Sequence, residues 1–98
     1  MIYVIAELKL KPGTAEQAVA AARKAVAGTV KEEGCIFYDM HLSINDPDKL
    51  MVVERWTSRA ALDAHMHTPH LLAWRAAGKE FIAARKVEVI SPEKVDVL

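Results

Sequence analysis

The sequence predicts an α+β domain in which four strands form one antiparallel sheet and three helices cover one of its faces. Two observations lead to this prediction. Three segments alternate apolar and polar residues with the period of two that a half-buried strand requires, namely residues 2–10, 35–43 and 50–57. Between the first two segments, residues 15–30 place alanine and valine at the i, i+3 and i+4 spacing of an amphipathic helix.

A short turn joins the first strand to the first helix. The first strand, residues 2–10, has one fully apolar face and ends at the turn "KPG", residues 11–13. Thr14, followed three residues later by Gln17, predicts a capping box at the start of the helix. Gly34 is expected to end this helix, because glycine readily takes the left-handed conformation that follows many helix ends.

The second and third strands are predicted to pair as an antiparallel hairpin. The segment between them is "NDPDK", residues 45–49, in which Asp, Asn and Pro favour a tight turn. This short connection requires neighbouring, antiparallel strands.

Two helices and a strand complete the domain. Ser58 is the predicted cap of a short helix that ends near His67. Thr68 and Pro69 are the predicted cap and first residue of a last helix that reaches Ala83. The final strand is "RKVEVI", residues 85–90, before a tail at residues 91–98. The resulting order is that of the ferredoxin-like βαββαβ arrangement.

Composition limits the classes of partner. The 98 residues are enough for one domain, and 13 basic residues balance 13 acidic ones. Without a basic surplus the sequence predicts no nucleic-acid partner, and its apolar runs are too short to span a membrane. The N-terminal segment has the pattern of a strand rather than of a signal peptide. Cys35 is the single cysteine, which favours a buried thiol in a reducing cytoplasm.

The second face of the sheet is predicted to be an interface. It carries apolar side chains among charged ones, at Tyr3, Ile5, Phe37, Met51 and Val53. A domain of this size seldom leaves such a patch exposed. The sequence therefore predicts a homodimer in which sheet packs on sheet.

Five ordered motifs resemble the antibiotic biosynthesis monooxygenase (ABM) family, and most closely its quinol-monooxygenase branch. They are "KEEGCIFY" (31–38), "DP" (46–47), "ERW" (54–56), "ALDAH" (61–65) and "TPH" (68–70). The resemblance implies a ferredoxin-like domain that dimerises into an α+β barrel. It also implies oxidation of a quinol or related aromatic hydroxy compound by dioxygen, without metal or flavin, in a pocket between sheet and helices.

The resemblance makes His65 the leading candidate for the catalytic base. The helix spacing places His65 on the inward stripe with Leu62 and Met66, whereas His67 should face solvent. An imidazole suits this role because its usual pKa is about 6.5. The resemblance also implies that Trp56 stacks on a planar substrate, the alternative being a plain core residue.

Further candidate substrate-binding residues are Tyr38, His41, His70 and Trp74. Tyr38 and His41 lie three residues apart on one strand, so they share a pocket only if a bulge intervenes. His70 either reaches the pocket or stabilises the helix junction, and Trp74 either contacts substrate or belongs to the core.

No metal or cofactor is predicted. His65 and His67 diverge on their helix, and Pro69 separates both from His70, so we expect no convergent metal ligands. Two alternative functions remain open. One is isomerisation of a small phosphorylated dione. That reaction would need basic residues at the pocket to bind the phosphate, and neither Arg55 nor Arg75 forms an evident cluster with other basic residues. The other is a small-ligand-binding dimer without turnover.

Overall fold

The chain forms the predicted ferredoxin-like α+β arrangement. A computed structural model describes all 98 residues, and residues 91–98 carry neither helix nor strand. The four strands form one antiparallel sheet in the order β2-β3-β1-β4. The elements are β1 (Ile2–Leu10), α1 (Ala15–Thr29), β2 (Cys35–Leu42), β3 (Lys49–Trp56), α2 (Arg59–His65), α3 (Pro69–Gly78) and β4 (Ile82–Ile90).

The core lies between the sheet and the helices. Every second residue of β1 and β3 is buried there, as the period-two pattern predicts. On α1 the buried side chains are small ones, Ala18, Ala22, Ala25 and Thr29. The helix can therefore pack closely on α3 and on the sheet. No helix of this structure has the length and apolar character needed to cross a membrane.

The first helix begins at the predicted residue, Ala15, but its predicted cap and its predicted end differ from the structure. The Thr14 side chain caps no helix N–H, and its hydroxyl instead donates to the Lys11 carbonyl at 2.7 Å. The predicted capping box is therefore wrong. The helix ends at Thr29, well before Gly34. Ser58 and Thr68, in contrast, accept hydrogen bonds from backbone N–H groups as the predicted caps of α2 and α3.

The last helix is shorter than predicted, and the last strand is longer. α3 ends at Gly78, and a turn leads directly into β4 at Ile82. The Lys11 N–H donates to the Phe81 carbonyl, which fixes this turn against the end of β1. The apolar spacing of Phe81 and Ile82 resembles a helix stripe, but these residues are buried by the turn and the strand instead.

The outer face of the sheet exposes apolar side chains. Ile5 on β1, Phe37 on β2 and Ile90 on β4 share this face and are 37–39 % exposed. This is the face that the sequence predicts to be an interface.

Phe81→Ala is expected to lower the free energy of unfolding by about 3–5 kcal/mol. The ring is 1 % exposed and its centroid lies 5.6 Å from that of Trp74, so truncation leaves a cavity. Urea denaturation measures the change. Leu72→Ala is the control, since Leu72 on α3 is 52 % exposed and should cost less than about 0.5 kcal/mol. Equal losses in the two variants would contradict the packing described here.

Candidate functional site

A cavity lies between the sheet and the helices α2 and α3. Its volume is about 150 Å³, and 11 of its 17 lining residues are hydrophobic. The strands β1 and β4 and the two helices supply the apolar walls, which include Val4, Ala6, Leu8, Leu62, Leu71, Trp74, Val87 and Val89. A larger hollow between α1 and β2 contains no histidine or buried carboxylate. The smaller cavity brings a buried histidine, His65, together with a buried carboxylate, Glu54, and is therefore the candidate site.

Three polar groups reach the inner end of this cavity, those of His65, Tyr38 and Glu54. His65 Nε2, the Tyr38 hydroxyl and Glu54 Oε2 have no hydrogen-bond partner in the chain. No side-chain nitrogen or oxygen that is fully buried, however, lacks a hydrogen-bond partner. These three atoms must therefore be accessible from the cavity, where a ligand can bond to them.

The carboxylate of Glu32 connects two histidines. Its Oε2 atom lies 2.7 Å from His65 Nδ1 and 2.6 Å from His70 Nε2. All three side chains are largely shielded from solvent: the exposed fractions are 13 % for Glu32, 2 % for His65 and 25 % for His70. We call these three residues the carboxylate–histidine cluster.

This geometry selects the tautomer of His65. An ionised carboxylate only accepts hydrogen bonds, so Nδ1 of His65 must carry the proton that points at Glu32. In the neutral ring Nε2 is then unprotonated. The atom that reaches the cavity is thus a proton acceptor held in a fixed orientation.

Two glycines position Glu32. Gly34 has φ = +83°, and a Cβ atom on it would lie 2.5 Å from the Cβ of Ala61, so only glycine allows the turn to approach α2 this closely. A Cβ on Gly28 would lie 2.6 Å from Cγ of His70. Glycine at 28 therefore leaves room for the His70 ring beside α1, within reach of Glu32.

Glu54 and Trp56 form a buried pair behind the cavity. The Trp56 indole N–H donates to Glu54 Oε1 at 2.9 Å. Burial raises the pKa of Glu54, although the bond from Trp56 and the proximity of His65 oppose the shift. Burial, followed by the charges of Glu54 and Glu32, raises the pKa of Tyr38. The tyrosine hydroxyl is therefore neutral at physiological pH.

Comparison with known proteins identifies the family. The family model "Antibiotic biosynthesis monooxygenase" matches residues 1–77. The chain belongs to the ABM family. "Probable quinol monooxygenase YgiN" of Escherichia coli K12 is 31% identical over 102 residues, which cover 94% of this chain and 98% of that protein.

Solved structures agree with this membership. Rv0793 from Mycobacterium tuberculosis has a TM-score of 0.89 at 31% identity, and the match covers 98% of both chains. PA3566 from Pseudomonas aeruginosa has a TM-score of 0.88 at 28% identity, over 95% of this chain and 94% of that one. The resemblance to the ABM family is thus confirmed in sequence and in fold.

Only part of the predicted ABM site comes together around the cavity. His65, Tyr38 and Trp74 line it. Trp56 does not line the cavity, so it cannot stack on a substrate there as predicted. It is 0 % exposed and lies behind His65, with the ring centroids 4.8 Å apart. His70 is also absent from the lining, because its ring turns toward Glu32 and α1.

His41 lies on the opposite face of the sheet from the cavity. β2 does contain an irregularity, between Cys35 and Phe37, but it precedes both Tyr38 and His41. The two residues therefore keep opposite faces, and His41 lies 3.4 Å from Asp39 on the outer face. A pocket role for His41 is wrong within this subunit. His67 is exposed, as predicted.

The argument from Pro69 against convergent ligands is wrong. Atoms of Glu32, His65 and His70 lie within 4.8 Å of one another, a spacing at which they could hold a metal ion. In the present arrangement the carboxylate oxygen lies at hydrogen-bond distance from both nitrogens, and ring N–H groups satisfy it. A metal would have to replace both of these bonds.

Glu32 and two of the arginines that line the cavity were not predicted from the sequence. Glu32 lies in the quoted "KEEGC", but nothing in the pattern shows which of its two glutamates turns inward. Arg59, Arg75 and Arg85 line the cavity, and of these only Arg75 was considered from the sequence. Cys35 is only half-buried, and burial raises the pKa of its thiol.

Glu32→Ala is expected to destabilise the fold by about 1–3 kcal/mol, because it leaves two enclosed imidazole donors without their acceptor. Chemical denaturation measures the loss. Glu33→Ala is the matched control, since the neighbouring glutamate is exposed and makes no ion pair; its effect should stay within about 0.5 kcal/mol. An unchanged free energy of unfolding in Glu32→Ala would contradict a stabilising role of the cluster.

Glu54→Gln is expected to change how stability depends on pH. Because the pKa of Glu54 is raised in the folded state, the contribution of Glu54 to the stability of the wild-type protein falls as the pH rises above the ordinary value of 4.5. Glutamine keeps an acceptor for Trp56 but does not titrate. The free energy of unfolding of the variant relative to wild type should therefore increase with pH above 4.5. Urea titrations at several pH values measure it, and a difference that falls with pH would contradict the shift.

Proposed function

We propose that this ABM-family chain is a cofactor-independent monooxygenase that oxidises a single-ring quinol, or a related aromatic hydroxy compound, with dioxygen. The observation that carries the proposal is the orientation of His65. Its Nδ1 is bonded to Glu32, and its unprotonated Nε2 reaches an apolar cavity. A base in a cavity that excludes bulk water is the main requirement of this chemistry.

The size of the cavity supports a substrate with one ring. An apolar cavity of about 150 Å³ can hold a molecule the size of benzene, and this cavity has that volume. Trp74 in its wall offers an aromatic surface for a planar ring. A polycyclic substrate would need the helices to move apart.

The reaction can proceed with electrons from the substrate alone. His65 removes a proton from one hydroxyl group, and the resulting anion is electron-rich enough to reduce dioxygen. One oxygen atom forms a C–O bond to the ring, the O–O bond breaks, and the other atom leaves as water. For hydroquinone, C₆H₆O₂ and O₂ give hydroxyquinone, C₆H₄O₃, and H₂O. The four electrons that dioxygen accepts all come from the quinol.

Glu32 compensates the charge that this proton transfer creates. When His65 becomes an imidazolium, its Nδ1–H already faces a carboxylate at 2.7 Å. This arrangement stabilises the charged base in a low-dielectric surrounding. The Tyr38 hydroxyl, kept neutral by its raised pKa, can donate to a substrate oxygen beside His65.

We further propose that the protein is a homodimer in a reducing cytoplasm. The exposed apolar side chains Ile5, Phe37 and Ile90 on the outer face of the sheet support association of two copies. The single cysteine, Cys35, can form no disulfide within the chain, which supports a reducing compartment.

An oxygen electrode with a panel of hydroquinones tests the activity. We expect oxygen consumption that persists with a chelator, and a loss of about 10²–10⁴-fold in kcat/KM in His65→Ala. His67→Ala is the control, because His67 lies two residues away and is exposed. Full turnover in His65→Ala would remove this residue as the base. Ligand binding with no oxygen consumption would favour the non-catalytic alternative.

A further inference from the structure

Three arginines surround the outer part of the cavity, and two of them have no acidic partner. Arg59 donates to Asp63 at 3.0 Å, so its charge is compensated. Arg75 has only the Met66 sulfur at 3.9 Å. Arg85 makes no side-chain hydrogen bond and no ion pair in the chain. Two uncompensated positive charges therefore border an otherwise apolar site.

These two charges come from opposite sides of the opening. Arg75 lies in the last turn of α3 and is half-buried. Arg85 lies on β4, opposite Leu8 of β1, on the sheet face that lines the cavity. An anion between them would be bound from the helix side and from the sheet side at once.

The acidic side chains of the cavity do not pair with Arg75 or Arg85. Glu54 lies at the inner end, where it is 7 % exposed and accepts the Trp56 indole N–H. Asp63 is already paired with Arg59. The cavity is thus polarised, with hydroxyl-binding groups at its inner end and free guanidinium groups at its mouth.

We infer that the substrate is a single-ring hydroxyarene with an anionic substituent, a carboxylate or a phosphate monoester, bound between Arg75 and Arg85. Guanidinium groups match both anions, because their parallel N–H donors can bond to two oxygens. The ring then lies among the apolar walls with a hydroxyl group directed at His65. This orientation rests on the proposed function, whereas recognition of the anion does not require turnover.

Binding without oxygen separates recognition from catalysis. Under nitrogen, quenching of tryptophan fluorescence measures affinity, since Trp74 lines the cavity. The probes are 2,5-dihydroxybenzoate, its uncharged methyl ester, hydroquinone and 4-hydroxyphenyl phosphate. We expect 2,5-dihydroxybenzoate or the phosphate to bind at least about tenfold more tightly than the ester and hydroquinone, with a preference that weakens as salt increases. The stronger of the two anions identifies the substituent.

Variants locate the anion. Arg75→Gln should weaken binding of the preferred anion about tenfold, a loss of roughly 1.4 kcal/mol, and Arg75→Lys should retain part of it. Arg85→Gln should weaken it two- to fivefold, because this side chain is more exposed. Arg23→Gln is the charge-matched control: Arg23 lies on α1, borders a different hollow, and should leave affinity unchanged. Affinity for the methyl ester should stay constant in all four variants.

The outcomes distinguish this inference from the proposed function. Tight binding of 2,5-dihydroxybenzoate, with no enzymatic oxidation of it in air, supports the inference and contradicts the monooxygenase proposal. The phosphate probe reports on binding alone, because it has only one free hydroxyl group. Oxidation of hydroquinone without tighter binding of either anion overturns the inference and leaves the monooxygenase proposal in place. Equal affinities of wild type and the Arg75→Gln and Arg85→Gln variants, or no binding of either anion at millimolar concentration, also overturn the inference.

Discussion

The candidate site depends on one carboxylate oxygen that accepts two hydrogen bonds. Glu32 follows the first helix, His65 ends the second and His70 begins the third, so this single atom joins three segments of the chain. The bonds are short and mostly shielded from water, which strengthens them. The position and protonation of the group that faces the cavity therefore follow from contacts outside the cavity.

The cluster also controls net charge in the interior. With both imidazoles neutral, the cluster carries the single negative charge of Glu32. A positive charge on His65 would lie 2.7 Å from this carboxylate, which would compensate it. Neighbouring Glu54 is held by Trp56, and burial raises its pKa. These two acids contribute differently: Glu32 orients the base, and Glu54 accepts a hydrogen bond from Trp56.

The sequence predicted the sheet, its element order and the inward position of His65, because these follow from local periodicity and capping residues. It could not predict the cluster. In a continuous helix, residues five apart differ by about 140° in direction, so His65 and His70 would diverge. The break at Thr68 and Pro69 redirects the chain, and tertiary packing then brings both rings to Glu32. Trp56 lies outside the cavity for a related reason: alternation predicts the face of a strand, but not whether a side chain on that face reaches a cavity. For His41 the alternation correctly predicts the face opposite to that of Tyr38.

Gly28 has a consequence for variation among related sequences. The His70 ring occupies the space beside α1 that a side chain at position 28 would fill. Glu32 lies shortly after the end of the same helix. A larger residue at position 28 is therefore compatible with a small residue at position 70, but not with histidine there. Positions 28 and 70 should accordingly vary together, and in a relative that has lost this glycine the carboxylate at position 32 should bond to one imidazole, that of residue 65, instead of two.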